Sequence, residues 1–228
     1  MADARKTDRP HASAAARPID HDELGGMAAP GDAAPAGPSS LGDRLAFLLG
    51  FVRDPAGVGS VVPSSHRLER RLVRNARIAQ ARTVVELGPG TGGTTRAFLD
   101  AMSPQARLLA IELDPVFARR IGEQVRDRRL HVECGSAERI GEMLAARRLP
   151  APDAIVSGIP FSTMPQDVGE RIAAVVAEVL RPGGVFVAYQ VRPRVAEFTA
   201  PHLGQPRFEW EPWNLPPMRV FTWVKAGA

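Results

Sequence analysis

The chain has 228 residues, 44% of them hydrophobic, enough to build one core-forming domain with extensions and too few for a multidomain machine. Its 29 lysines and arginines against 25 acids give a net charge of +4, and because only Lys6 and Lys225 are lysines the positive charge is almost all arginine, which forks onto phosphate but also follows from compositional bias. Cys134 is the sole cysteine and the histidines at 11, 21, 66, 131 and 202 lack ligand spacing, which excludes a disulfide framework, leaves no expected metal, and suits a reducing cytoplasm.

Residues 1–40 are rich in Ala, Pro, Gly and Ser without an apolar period, so a disordered tail is expected there, with no apolar core of a secretory signal. They carry four bases and six acids, leaving 25 bases against 19 acids in the rest. Residues 41–63 form a second unit. In Leu41 to Pro55, the residues Leu41, Leu45, Leu48, Leu49 and Val52 follow helical spacing, while Phe47 and Phe51 widen the apolar face between Arg44 and Arg53. Two readings fit: an interfacial helix with Leu45, Phe47, Leu48 and Phe51 among lipid headgroups, or a lid helix packed on the domain. A helix from His66 to Ala79 follows, capped by Ser64 or Ser65. Between Arg67 and Arg82 lie six arginines and one acid, Glu69. That balance suits anionic lipid, a nucleic-acid backbone or a solvated helix face.

An apolar strand over 82–87 then runs into Gly88-Pro89-Gly90-Thr91-Gly92-Gly93-Thr94-Thr95. Glycines at 88, 90 and 93 fit G-x-G-x-x-G, whose backbone approaches a pyrophosphate at a helix N-terminus. Glu86, just before the turn, would repel a pyrophosphate and costs several kcal/mol, on the order known for buried ions, to bury unpaired. A cofactor with an α-ammonium and a sulfonium, as in S-adenosylmethionine, offsets that cost, its carboxylate using the helix N-terminus that Thr94 and Thr95 help open. After a helix over 92–102 and a strand over 106–111 comes Glu112, 20 positions beyond Gly92, placed to accept both ribose hydroxyls. Pro115 suits the first turn of the next helix.

Strands near 129–134, 153–157 and 184–190 alternate with helical patterns near 115–127, 138–147 and 166–180. Arg207 to Trp213 and Met218 to Val224, split by Asn214-Leu215-Pro216-Pro217, read as an antiparallel pair. The acceptor crevice is expected beyond the fourth and fifth strands, at Ser157-Gly158-Ile159-Pro160-Phe161 and Tyr189.

With Glu86, Gly88, Gly90, Gly92 and Glu112 in these positions, residues 64–228 resemble the class I S-adenosylmethionine-dependent methyltransferases. The resemblance implies an α/β fold, a doubly wound, seven-stranded, mostly parallel sheet with N-terminal helices. It places Glu86, Gly88, Pro89, Gly90, Gly92, Thr94, Glu112, Leu113, Ser136, Ala137, Ser157 and Ile159 at the cofactor. Related enzymes often have Gly-Asp-Ala where this chain has Gly135-Ser136-Ala137, and Ser136 retains an acceptor for the adenine amine. Ser157 to Phe161 is similar to the Asn-Leu-Pro-Tyr segment of rRNA adenine dimethyltransferases, but Gly158 stands in the place of the Asn that holds a planar amine. Together with Phe51 to Pro55, Val58 to Ser65 and Asn214 to Val220, the chain looks most like bacterial phospholipid N-methyltransferases that convert phosphatidylethanolamine to phosphatidylcholine. That likeness implies an anionic membrane surface and a phospholipid as partners, and a cytoplasmic, peripheral location.

For such chemistry Tyr189, the only tyrosine, is a candidate to orient the amine or pass its proton to water, and equally a core residue with a satisfied hydroxyl. Phe161 either covers the methyl-bearing head by cation-π contact or packs in the core. Arg192, Arg194 and Arg219 are candidates for the lipid phosphate. Two other readings stay open: a nucleic-acid methyltransferase using the basic helix on phosphates, and a non-catalytic cofactor-binding membrane protein.

Overall fold

The computed structural model describes residues 64–214 and 216–227. The expected tail and the expected helix at 41–52 lie outside these residues. The first helix, α1 (His66–Asn75), starts where the Ser65 hydroxyl accepts the Leu68 amide at 3.2 Å, relieving one of the amides that a helix start leaves open. It buries Leu68, Leu72 and Asn75 on one face. The helix was expected to reach Ala79. It stops earlier, because Arg77 takes a left-handed conformation (φ 53°) and a 3-10 turn, Ile78–Gln80, swings the chain under the sheet, burying Ile78 and Ala81.

Seven strands and five more helices follow: β1 (Thr83–Leu87), α2 (Gly93–Ala101), β2 (Arg107–Glu112), α3 (Pro115–Gln124), β3 (Leu130–Cys134), α4 (Ile140–Ala146), β4 (Ala154–Ser157), α5 (Gln166–Val179), β5 (Val185–Gln190), α6 (Arg194–Leu203), β6 (Arg207–Glu211) and β7 (Met218–Val224). They form one sheet in the order β3-β2-β1-β4-β5-β7-β6. β1 to β5 pair in parallel; β7 is antiparallel to both β5 and β6. This is the doubly wound, mostly parallel sheet expected from the strand-helix alternation, with β7 alone reversed.

Both faces of the sheet's centre are covered, which is why β1, β2, β4 and β5 read as largely apolar runs. On one face Val84, Leu108, Val156, Val187 and Val220 pack with Leu68 and Leu72 of α1 and Phe98 of α2. On the other, Val85, Leu109, Ile155, Phe186 and Phe221 meet Ile140 of α4, Ile172 of α5 and Phe198 of α6. Each such fully buried side chain contributes about 1.5–3 kcal/mol. α6 carried no signal in the sequence, because Pro193 precedes it and Pro201 sits inside it; burial of Val195, Phe198 and Thr199 holds it nonetheless. No described helix is long and apolar enough to cross a membrane.

Two of the arginines on α1 are engaged by acids of β6. Arg71 binds Glu211 at 2.9 Å and Glu209 at 2.6 Å, and Arg74 reaches Glu209 at 2.9 Å. The basic helix is thus partly a clamp on the acidic inner face of β6. Asn75, buried beside it, donates to Glu209 at 2.8 Å.

Candidate active site

The site grows from the ends of β1 and β2. After Leu87 the chain turns through Gly88 and Gly90, with φ of 71° and 55°, a region closed to most side chains. The Gly88 amide donates to Ile111 O at 2.9 Å and that of Gly92 to Pro89 O at 2.9 Å, so the loop folds tightly before Gly92 opens α2. The amide of Gly90 donates to Glu112 Oε2 at 2.9 Å, and Asp114 N to Glu112 Oε1 at 3.1 Å. Asp114 caps α3, accepting Val116 N at 2.7 Å, with Pro115 in the first turn. Glu112 therefore faces the glycine turn.

Glu86 lies at the heart of the sheet, in register with Ala110 and Val156. Its oxygens accept the Thr94 hydroxyl and, at 2.7 Å, the Thr95 hydroxyl. Thr94 and Thr95 stand in the first turn of α2, and their hydroxyls turn inward onto Glu86. Burial lifts the Glu86 carboxyl from 4.5 to about 7 against these two hydrogen bonds, with the Glu112 charge adding to the rise. Burial raises Glu112 as well. Glu86 and Glu112 are both buried, and among the described residues neither forms an ion pair. That donor set fits a ligand that is cationic at one end and carries a diol at the other, with Glu86 and Glu112 to hold those ends and Gly88, Pro89, Gly90 and Gly92 to let its backbone-facing side approach.

The remaining cofactor candidates rim the same cleft. Leu113 follows Glu112 and is half-buried. Gly135 N donates to Glu112 O at 2.9 Å, bringing the end of β3 alongside. There the Ser136 hydroxyl caps the short 3-10 turn, accepting Glu138 N at 3.2 Å and lying 2.9 Å from Glu138 Oε2, while Ala137 is buried beneath. Ser136 is thus partly committed to its own turn. Ser157, fully buried, accepts Ile159 N at 3.3 Å, and Ile159 O accepts the buried Gln190 amide at 2.5 Å.

Gly158 is the pivot of the acceptor side. A Cβ added there would lie 2.3 Å from the Tyr189 hydroxyl and 3.2 Å from Gly88 O. The tyrosine hydroxyl therefore fills the space that a side chain at 158 would need. Although part of Tyr189 reaches solvent, its hydroxyl sits beside Thr94, Ser64 and Glu86; burial drives the phenol well above its usual range, opposed by hydrogen bonds with Thr94 and Ser64. When Glu86 is ionised, Thr94 gives its proton to that carboxylate and so accepts from Tyr189. A directed chain Tyr189–Thr94–Glu86 then leaves lone pairs of the tyrosine oxygen to act as acceptors. Thr95, Ser64 and Gln190 belong to this site although their sequence positions gave no separate signal beyond adjacency to Glu86's helix and to Tyr189.

Two expectations fare differently. Phe161 is wholly buried, its ring centroid 6.2 Å from that of Phe198 inside the core; it packs rather than covering a substrate head. Arg194 lies over Phe198 and reaches Ser162 O at 3.5 Å. Arg219 bonds Val191 O and lies over Trp210, and Arg192 is exposed. The three arginines ring the carboxyl end of β5 without converging on one point.

An open α/β sheet closed by an antiparallel pair, with buried acids after its first two strands and a glycine turn between them, defines a nucleoside-cofactor methyltransferase fold. Comparison with known proteins agrees. A methyltransferase domain family matches residues 84–184. The ornithine lipid N-methyltransferase of Singulisphaera acidiphila is 35% identical over 181 residues, 78% of this chain and 94% of that protein. The ribosomal RNA small subunit methyltransferase A of Nocardia farcinica is 36% identical over 143 residues, but the match spans only 46% of that protein. The O-methyltransferase TomG from Streptomyces achromogenes, solved with S-adenosylmethionine, shares the fold with a TM-score of 0.56 at 19% identity, over 71% of this chain and 81% of that one. The chain belongs to the class I S-adenosylmethionine-dependent methyltransferases, and S-adenosylmethionine is its cofactor.

Proposed function

We propose that the protein methylates the primary amine of a membrane lipid, carrying phosphatidylethanolamine towards phosphatidylcholine at the inner face of the membrane. The observation that carries this reading is the replacement at the acceptor side: Gly158 offers no side-chain amide, and the Tyr189 hydroxyl occupies its space. A flat, weakly basic ring amine loses the acceptor that would hold it in plane, whereas an alkyl amine needs one oxygen to fix the direction of its lone pair. The ornithine lipid N-methyltransferase supports a lipid amine by its identity along nearly its whole length. An ornithine headgroup is accordingly the second reading of the acceptor.

When bound, S-adenosylmethionine supplies an electrophilic methyl on its sulfonium, and the protein's task is to hold a free amine in line with it at about 3–3.5 Å, the near-attack range. Tyr189 accepts an N–H of the amine and orients it. Its phenol stays neutral because burial raises it, so it positions the nucleophile rather than acting as a phenolate base. The headgroup, an ammonium at neutral pH with a pKa of about 10, loses its proton to water. Arg192, Arg194 and Arg219 are the candidates to meet the headgroup phosphate, and Leu45, Phe47, Leu48 and Phe51 the candidates for apolar contact with the bilayer.

Incubation with methyl-labelled cofactor and mixed bacterial lipids containing phosphatidylethanolamine and an ornithine lipid, followed by lipid chromatography, tests the proposal. Label in methylated phosphatidylethanolamine is expected. Label confined to the ornithine lipid selects the second reading, and an unlabelled lipid fraction overturns both.

A further inference from the structure

Two of the protein's three tryptophans lie on its surface, and both are at the carboxyl end of the sheet, where the acceptor side opens. Trp213 is 73% exposed and Trp210 43% exposed, with Phe208 at 50% on the same face of β6 as Trp210. The register fixes their place: Gln190 at the end of β5 pairs with Arg219, and Arg219 with Trp210. The Ser65 amide donates to Asn214 at 3.0 Å, tying the hairpin to the start of α1. Exposed indoles are expensive in water, and here they cluster instead of scattering.

Each indole also carries a guanidinium. The Arg67 carbon lies 5.6 Å from the Trp213 ring centroid, and that of Arg219 4.8 Å from the Trp210 ring. The two acids of β6, Glu209 and Glu211, are drawn to the opposite side by Arg71, Arg74 and Asn75. The outward edge is thus aromatic and cationic while its acids are held inside. An indole at the apolar boundary beside an arginine that reaches a phosphate is the chemistry of an anionic headgroup layer. Arg192, exposed next to the Val191 carbonyl that Arg219 binds, extends the positive rim towards β5.

We propose that the edge made by Phe208, Trp210 and Trp213 with Arg67 and Arg219 is where the enzyme rests on an anionic bilayer, so that a lipid amine enters the Gly158–Tyr189 side from the membrane plane. The orientation deepens the lipid-amine reading and rests on it. Docking through this edge keeps the acceptor in its bilayer, since the hairpin and the mouth of the site share one end of the sheet.

Tryptophan emission tests the surface directly, because Trp223 is buried and the other two tryptophans are the exposed pair. Full-length protein is mixed with vesicles of phosphatidylglycerol and phosphatidylethanolamine carrying brominated acyl chains, with phosphatidylcholine vesicles as control, and pelleting is measured in parallel. Quenching on the anionic vesicles is expected. Trp210→Ala with Trp213→Ala should weaken vesicle partitioning by about tenfold or more, with cofactor affinity and turnover of a short-chain, monomeric phosphatidylethanolamine unchanged. Pelleting without quenching, or equal pelleting of the double variant, overturns the proposal, as does an absence of vesicle binding or quenching by RNA alone. Turnover of the short-chain lipid by the wild type judges the functional reading separately. If the double variant loses cofactor affinity, Trp213→Ala alone decides: retained pelleting refutes the surface, and weakened pelleting supports it.

Discussion

Replacing Glu86 by Gln should make the unliganded protein more stable and its cofactor binding weaker. The carboxyl rises from 4.5 to about 7 on folding, chiefly through burial. A group raised in the folded state contributes its full stability below the unfolded value and loses it as pH climbs through the folded one. The loss therefore falls between pH 4.5 and about 7, and at 1.36 kcal/mol per unit it comes to about 3 kcal/mol by pH 8. Gln carries no charge to desolvate, and the Thr94 and Thr95 hydroxyls can turn to meet an amide as donors or acceptors. Denaturant unfolding without cofactor should show the variant more stable at pH 8 by up to about 3 kcal/mol, the linkage value above, and equal to wild type near pH 4.5. Calorimetry should show cofactor affinity lowered by roughly 1.5–3 kcal/mol, the range for hydrogen bonds to charged groups. In the wild type, affinity should fall as pH drops below about 7 and Glu86 takes up a proton. A variant less stable at both pH values would show that Glu86 is an anchor for α2, and unchanged affinity would remove it from the cofactor site.

Glu112→Ala should weaken S-adenosylmethionine by a comparable 1.5–3 kcal/mol, roughly the same range, read by calorimetry on a folded variant; wild-type affinity rejects the ribose assignment. Activity under chemistry-limited conditions should rise between about pH 7 and 9 as the amine loses its proton, and a flat profile counts against an amine that must deprotonate in solution. Tyr189→Phe should lower kcat on the order of tenfold to a hundredfold while leaving cofactor affinity intact; an unchanged kcat would return Tyr189 to the core. Gly158→Asn should displace the Tyr189 hydroxyl, since even its Cβ comes within 2.3 Å, and lipid methylation should drop with cofactor affinity largely retained. A fully active Gly158→Asn enzyme would contradict the positioning role.

The central strands were legible because β1, β2, β4 and β5 are buried on both faces, and β7 was read to the residue at Met218 to Val224. The acids were legible too, because a carboxylate at the end of an apolar run, as at Glu86 and Glu112, is costly to bury and so stands out. What sequence could not carry were contacts set by register across the chain. Gly158 meets Tyr189 only because β4 and β5 lie side by side, and Arg71 meets Glu209 across 138 positions. That the Thr94 and Thr95 hydroxyls meet Glu86 was hidden as well, because a threonine in the first turn of a helix caps it or points inward according to what lies beneath. Phe161 stayed open between cleft and core because an aromatic after a strand end looks alike in either place, and here it faces Phe198.

The central claim is tested most directly in one reaction holding methyl-labelled cofactor, phosphatidylethanolamine vesicles and ribosomal RNA together, with the label then partitioned between organic and aqueous phases. The account predicts label in the lipid phase, dependent on Glu86 and reduced in Tyr189→Phe. Label in the RNA, with none in lipid, would contradict it.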